Sequence, residues 1–444
     1  MEQAHVFIAI PAMDELDTLP LTLQDLQNQT CSLPFEVHIC VNQSESYWQT
    51  AEKKHICENN RQLLLLLNKW QGLSLRILDR TSPGNGWDDK KFGVGWARKV
   101  LFDNILSTAQ PDDIIISLDA DTRIQPKYVQ SIIDNFKQHP RIPAISVPYY
   151  HPLTGKEAND RSILRYEFYM RNYAINLYKI GSPYSFTAVG SAIAMRAGAL
   201  KKIGGITPVK SGEDFYLMQK FRKMAPISNW NEETVYPAAR FSDRVFFGTG
   251  PALIKGSQGQ WDSYPIYPHQ SFNSIDETYR RLPELFQQDI QTDFIDFLQE
   301  QFNEKDLWQS IRQNVKDLPH FEKAFHAKAD GLRILQYLRQ RTPRKHSDEQ
   351  ILFDNLSHWA VERIPKWFQP NLSFQEIFNH KPSTASIISC ITLGLPNFNA
   401  LSDNSLSFLS SLIISLIVLD NDSAVKSFSS IIIAASLSTN ALPL

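Results

Sequence analysis

The chain of 444 residues has almost no net charge, with 45 Lys+Arg against 47 Asp+Glu and a formal balance of −2. Lacking a basic excess, it does not read as a nucleic-acid binder; lacking an acidic one, it does not read as a solvating chain. Cysteine is scarce. The four present (Cys31, Cys40, Cys57, Cys390) show no paired or metal-like spacing, which suits free thiols in a reducing, cytoplasmic compartment. No run of eighteen apolar residues occurs, so no standard spanning helix is expected. The N-terminus offers only a five-residue apolar run, 6–10, before Pro11, which is no signal peptide. What is present is enough apolar content, 43% against 21% charged, to bury a sizeable core. The length fits one large domain with an appendage, or two to three ordinary ones.

The first 250 residues alternate strand-like and helix-like segments. Strands are expected at 6–10, 36–41, 73–78, 113–118 and 144–147, and helices at 19–26, 48–69, 94–106 and 127–136. This alternation predicts an α/β fold, a mostly parallel sheet flanked by helices. Ligands in such sheets bind outside the carboxyl ends of the strands, so residues just after each strand carry the chemistry. An aromatic helical stretch follows at 162–180, then a strand at 188–195 and helices near 197–203 and 213–223. Residues 251–382 read as a polar helical accessory region without a catalytic constellation. Residues 383–444 are compositionally foreign, with fifteen Ser, twenty Leu or Ile and four charges. That tail reads as poorly structured or non-native, a docked helical hairpin, or a membrane-surface segment.

Asp119-Ala120-Asp121 directly follows the buried strand at 113–118. Carboxylates there suit a hard cation, Mg²⁺ or Mn²⁺, that takes its other ligands from substrate phosphates. They also suit a solvated acidic turn. Glu213-Asp214 opens a helix after a glycine. Either acid could act as a general base, or both could simply complement the helix dipole. Pro11 to Glu15 follow the first strand, where a nucleotide or its phosphates commonly lie. Glu15 reads as a ribose or base acceptor, and Asp14 as that or a cap. Asn42 ends the second strand, where it either reads a base edge or starts a turn.

Taken in order, VFIAIPAMDE, HICVN, KKFGVGWARK, IIISLDADTRIQPKYV and AVGSAIAMRAGALKKIGG…GED resemble the family 2 glycosyltransferases of the GT-A fold, over roughly residues 5–225. The resemblance implies transfer of a sugar from a nucleoside-diphosphate sugar to an acceptor hydroxyl, metal-dependent and usually with inversion. It implies Asp119 and Asp121 as the Asp-x-Asp pair, with Asp121 the more direct metal ligand and Asp119 nearer ribose and diphosphate. It implies Pro11 and Glu15 in the nucleotide loop, and Gly93, Gly95, Ala97 and Arg98 lining the donor. Gly190 and Ser191 would lie beneath the sugar, and Asp214 would be the base. Asn42 departs from the family, which usually has Asp there. Arg240 and Arg244, with the run 247–250, resemble a late segment that closes over the diphosphate; a surface arginine pair is the alternative. His151 and His269 stand as candidate extra ligands, and Trp87 and Trp96 as candidate stacking residues, against ordinary packing for each. The acceptor (glycan, lipid-linked or small molecule) stays open, as does peripheral contact with the inner face of a membrane. A retaining GT-A transferase, a nucleotidyltransferase and a catalytically silent nucleotide-binding scaffold remain alternatives. The loop PAMDELD counts against the nucleotidyltransferase, because it lacks Gly, Lys and Arg.

Overall fold

The computed structural model describes residues 4–242, 248–343 and 346–359. Arg244 and the tail at 383–444 lie outside the described residues. The order begins β1 (Val6–Ala12), α1 (Leu19–Gln27), β2 (Phe35–Asn42), α2 (Lys54–Leu67), β3 (Leu75–Arg80), α3 (Val94–Leu106) and β4 (Ile114–Ser117). It continues through β5 (Arg123–Ile124), α4 (Tyr128–Gln138), β6 (Ala144–Ser146), α5 (Glu157–Lys179), β7 (Ile193–Arg196), α6 (Ala197–Lys202) and α7 (Glu213–Met224). Then come β8 (Val235–Tyr236), α8 (Thr249–Ser257) and helices α9 to α15, which run from Asn273 to His358.

Six strands form one sheet in the order β3-β2-β1-β4-β7-β6. The pairs β1–β2, β1–β4 and β2–β3 are parallel, while β7 runs antiparallel to both β4 and β6. β5 and β8 make a small second sheet. The expected α/β architecture is therefore present, and β7 is the one reversed strand. β1 and β4 are apolar along nearly their whole length because helices cover both faces; every residue of each is buried.

The two faces close over two apolar clusters. One joins Val6, Ile8 and Ile10 of β1 to Leu19 and Leu23 of α1 and Ile132 and Phe136 of α4. The other joins Phe7 and Ala9 to Leu101 and Phe102 of α3 and runs on without a break into Phe294, Phe297, Trp308, Phe325 and Leu338. The C-terminal helices thus share a core with the sheet. Polar ties reinforce this: the Asn355 amide donates to Asn172 Oδ1 at 2.6 Å, and Trp359 Nε1 donates to Asn176 Oδ1 at 3.2 Å. No helix among the described residues is long and apolar enough to cross a membrane.

Three expected elements shift. β3 runs two residues later than 73–78 because it is an edge strand with no fully buried residue, so its ends are weakly specified. The helix expected at 48–69 splits, because Thr50 is extended (φ −99°, ψ 112°) and two short 3-10 turns precede α2. Of the strand expected at 188–195, only Ile193–Arg196 finds ladder partners. Residues 188–191 turn away to line the cleft described next.

Candidate active site

A cleft of about 360 Å³ opens at the carboxyl ends of β1, β2 and β4. Pro11 lines it from the last residues of β1, Glu15 from the turn that follows, Asn42 from the end of β2, and Asp119 and Asp121 from the turn after β4. Gly190 and Ser191 enter from the segment before β7, and Glu213 and Asp214 from the first turn of α7. Gly93, Arg98 and Arg240 also face it. Nearly every site residue expected from sequence therefore converges here. Gly95, Ala97, Trp87, Trp96, His151 and His269 are not among the lining residues.

Arg98 is the tie beneath the acids. It is 4% exposed and donates to Asp119 Oδ1 at 2.5 Å and, through the other terminal nitrogen, to Glu213. Burial works against its charge, but Asp119 and Glu213 more than offset that and hold its pKa above the ordinary value. One guanidinium thus links the turn after β4 to the start of α7. Two glycines make the arrangement possible. A Cβ at Gly190 would collide with the Arg98 guanidinium, and a Cβ at Gly95 would collide with the backbone of Val209 in the loop leading to α7. Gly95 therefore acts under the cleft, letting that loop approach α3, rather than lining it.

Asp214 is half-buried in the opening turn of α7. Burial first, and the neighbouring Glu213 second, raise its pKa from 3.8 to about 7, with Arg98 pulling the other way. Arg240 closes the opposite side. A single nitrogen, Nη2, touches both Glu15 and Asp121, the latter at 2.8 Å. The Glu15 turn is itself pinned: Asn60 Oδ1 accepts from Asp14 N at 2.9 Å, and Asp14 sits in the left-handed region at φ 61°. Asp14 thus shapes the turn and Glu15 faces the cleft. Three polar atoms of lining residues are buried without a hydrogen-bond partner among the described residues: Asn42 Oδ1, Arg98 Nε and Ser191 Oγ. The Asn42 amide nitrogen donates to Ala12 O at 2.9 Å, which leaves its oxygen as the acceptor on offer.

The remaining candidates have local roles. His151 is buried and bonds Glu167 at 2.5 Å, and Glu167 pairs with Arg171 at 2.9 Å. Its other nitrogen lies 3.3 Å from Thr249 Oγ1, so it backs the cleft wall from behind. His269 stacks on His358, with ring centroids 3.7 Å apart. Trp87 packs under the Arg80 guanidinium. Tyr166, in the aromatic stretch, does reach the cleft wall. Thr249, from the run expected to close over the diphosphate, lines it as well, whereas sequence reasoning missed Pro237 and Ala238, which directly follow the two-residue strand β8. No group of three or more His, Cys, Asp or Glu forms a ready metal cage among the described residues.

Residues 114–261 match the model for glycosyl transferase family group 2. That stretch is similar to the family 2 glycosyltransferases. It contains Asp119, Asp121, Gly190, Ser191, Glu213, Asp214 and Arg240. Similar solved structures include *S. aureus* TarS, 15% identical over 64% of this chain and 47% of that chain, with a TM-score of 0.34. Another is *S. aureus* TarS 1-349 in complex with UDP-GlcNAc, 14% identical over 78% of this chain and 94% of that one, with a TM-score of 0.36. This chain spans about half the length of the longer TarS chain (47%), and overlays at these scores set no residue correspondence. No curated protein matches it.

Proposed function

We propose that the protein transfers a sugar from a nucleoside-diphosphate sugar to an acceptor hydroxyl, with inversion, using Asp214 as general base and a divalent cation at Asp119 and Asp121. One observation carries the reading: Asp214, with its pKa raised to about 7, faces the same cleft as the Asp119–Asp121 turn and is tied to it through Glu213 and Arg98.

The strand order supports a direction for the donor. Asn42 on β2 and Asp119 after β4 are separated by β1, so they stand about 10 Å apart at ordinary strand spacing. A nucleotide laid along this edge would put its base at Asn42, its diphosphate at Asp119 and Asp121, and its sugar toward Ser191 and Asp214. The unpartnered Asn42 Oδ1 would accept the ring N–H of uracil or guanine. Five carboxyls face two guanidinium groups among the described lining residues. A doubly charged diphosphate entering that field would be repelled without added positive charge. The two aspartates are hard oxygen donors, and their number suits Mg²⁺ or Mn²⁺, which binds through one or two carboxylates plus substrate phosphates. When bound, such a cation supplies charge neutralisation of the departing diphosphate.

The chain's own residues supply the rest. Asp214 takes the proton of the acceptor O–H. The oxygen then forms a bond to the anomeric carbon from the face opposite the diphosphate, whose C–O bond breaks with its electron pair leaving on phosphate. A single carboxyl poised near neutral pH suits this one-step displacement. Asp214→Asn should cut transfer by about 10²–10⁴ while leaving nucleotide binding intact; a rate equal to wild type in that variant would refute the role.

A further inference from the structure

The two arginines of the cleft are not equivalent. Arg98 is buried, is held beneath Gly190 and cannot leave without opening the core. Arg240 is 32% exposed at its side chain and lies on the solvent side, with one nitrogen between the carboxylates of Glu15 and Asp121. A positive centre bridging two carboxylate oxygens at the mouth of an acidic cleft occupies the kind of position a divalent cation would take. We infer that Arg240 is a resident counter-cation that holds Asp121 and must release it before a divalent cation can bind there.

This rests on the metal role assigned above to Asp121 and adds an order of events to it. Arg240 can release Asp121 at little loss only if another anion takes its place. Its planar fork and permanent charge fit phosphate oxygens. The donor diphosphate therefore draws Arg240 off Asp121 and at the same time brings oxygen ligands of its own. The cation alone has to compete with a guanidinium, so it should be held weakly without nucleotide and well once nucleotide is bound. Arg240 is thus a positioning residue, acting through Asp121.

The test is titration of Mn²⁺ by electron paramagnetic resonance on the full chain, with and without UDP, for wild type, Arg240→Gln and Arg240→Lys. Without UDP, Arg240→Gln should bind Mn²⁺ at least tenfold more tightly than wild type, and UDP should add correspondingly less. Arg240→Lys keeps one charged nitrogen that can sit between the two carboxylates, as Nη2 does, so without UDP it should bind Mn²⁺ close to wild type and well below Arg240→Gln. Unchanged or weaker Mn²⁺ binding by Arg240→Gln overturns the inference. So does a lysine variant that binds Mn²⁺ as tightly as Arg240→Gln, which would show that a positive charge at this position does not compete with the cation. If no variant binds Mn²⁺ even with UDP, the metal role of Asp121 fails as well, and the two failures are told apart. Unchanged melting temperatures of the variants establish that each is folded.

Discussion

The raised pKa of Asp214 makes the pH dependence of turnover the most informative perturbation. With its pKa near 7, Asp214 is half ionised at pH 7 and about one-tenth ionised at pH 6. If the carboxylate is the base, the rate should fall about tenfold per pH unit below 7 and level off above about pH 8. Glu213 is one of the charges that push this pKa up, and Arg98 opposes it. Glu213→Gln should therefore move the acidic limb to lower pH, while Asp214→Asn should remove the limb and about 10²–10⁴ of the rate, the usual worth of a general base. The assay is initial rate of nucleotide release against pH at saturating donor, with the two variants beside wild type. A limb that stays in place in Asp214→Asn, or one that moves to higher pH in Glu213→Gln, would refute the reasoning.

Other consequences follow from the same contacts. Arg98→Met strands Asp119 and Glu213 without a counter-charge; losing one partner of a buried ion network costs about 3–5 kcal/mol, which should lower the melting temperature by on the order of 10 °C. Gly190→Ala drives a Cβ into the Arg98 guanidinium and should lower stability by about 1–3 kcal/mol, read by urea denaturation. Folded chains keep the Asp214 proton between about pH 4 and 7, where unfolded chains have lost it, so this group's stabilisation fades as pH rises through 7. Asp214→Asn should accordingly flatten the fall in melting temperature over that interval.

Legibility in the sequence followed the range of the interaction. β1 and β4 were legible because a short apolar run is a local signal, although β1 runs through Pro11 to Ala12, in ladder with Cys40 and Val41, instead of ending at 10. α3 was legible to the residue, since Gly93 at φ 108° marks its start. The lining by Glu15, Asn42, Asp119 and Asp121 was legible because each lies at or just after a strand end. The ion pairs that organise the cleft were not. Arg98 meets Glu213 across 115 positions, and Arg240 meets Glu15 across 225. No periodicity reports such contacts, so Arg98 could be read toward either acids or phosphate. Edge strand β3 blurred for a different reason: none of its residues is fully buried, so its apolar pattern is too weak to fix its ends.

The account stands on two aspartates holding a cation beside a diphosphate while a third acid faces the acceptor. Anomalous diffraction from a crystal grown with Mn²⁺ and UDP measures this directly. The expected result is a manganese peak within about 2–2.5 Å of an Asp121 or Asp119 oxygen, touching the diphosphate, with the Asp214 carboxyl open to the same cavity. A peak elsewhere, or UDP bound with Asp214 walled off from its terminal phosphate, would contradict it.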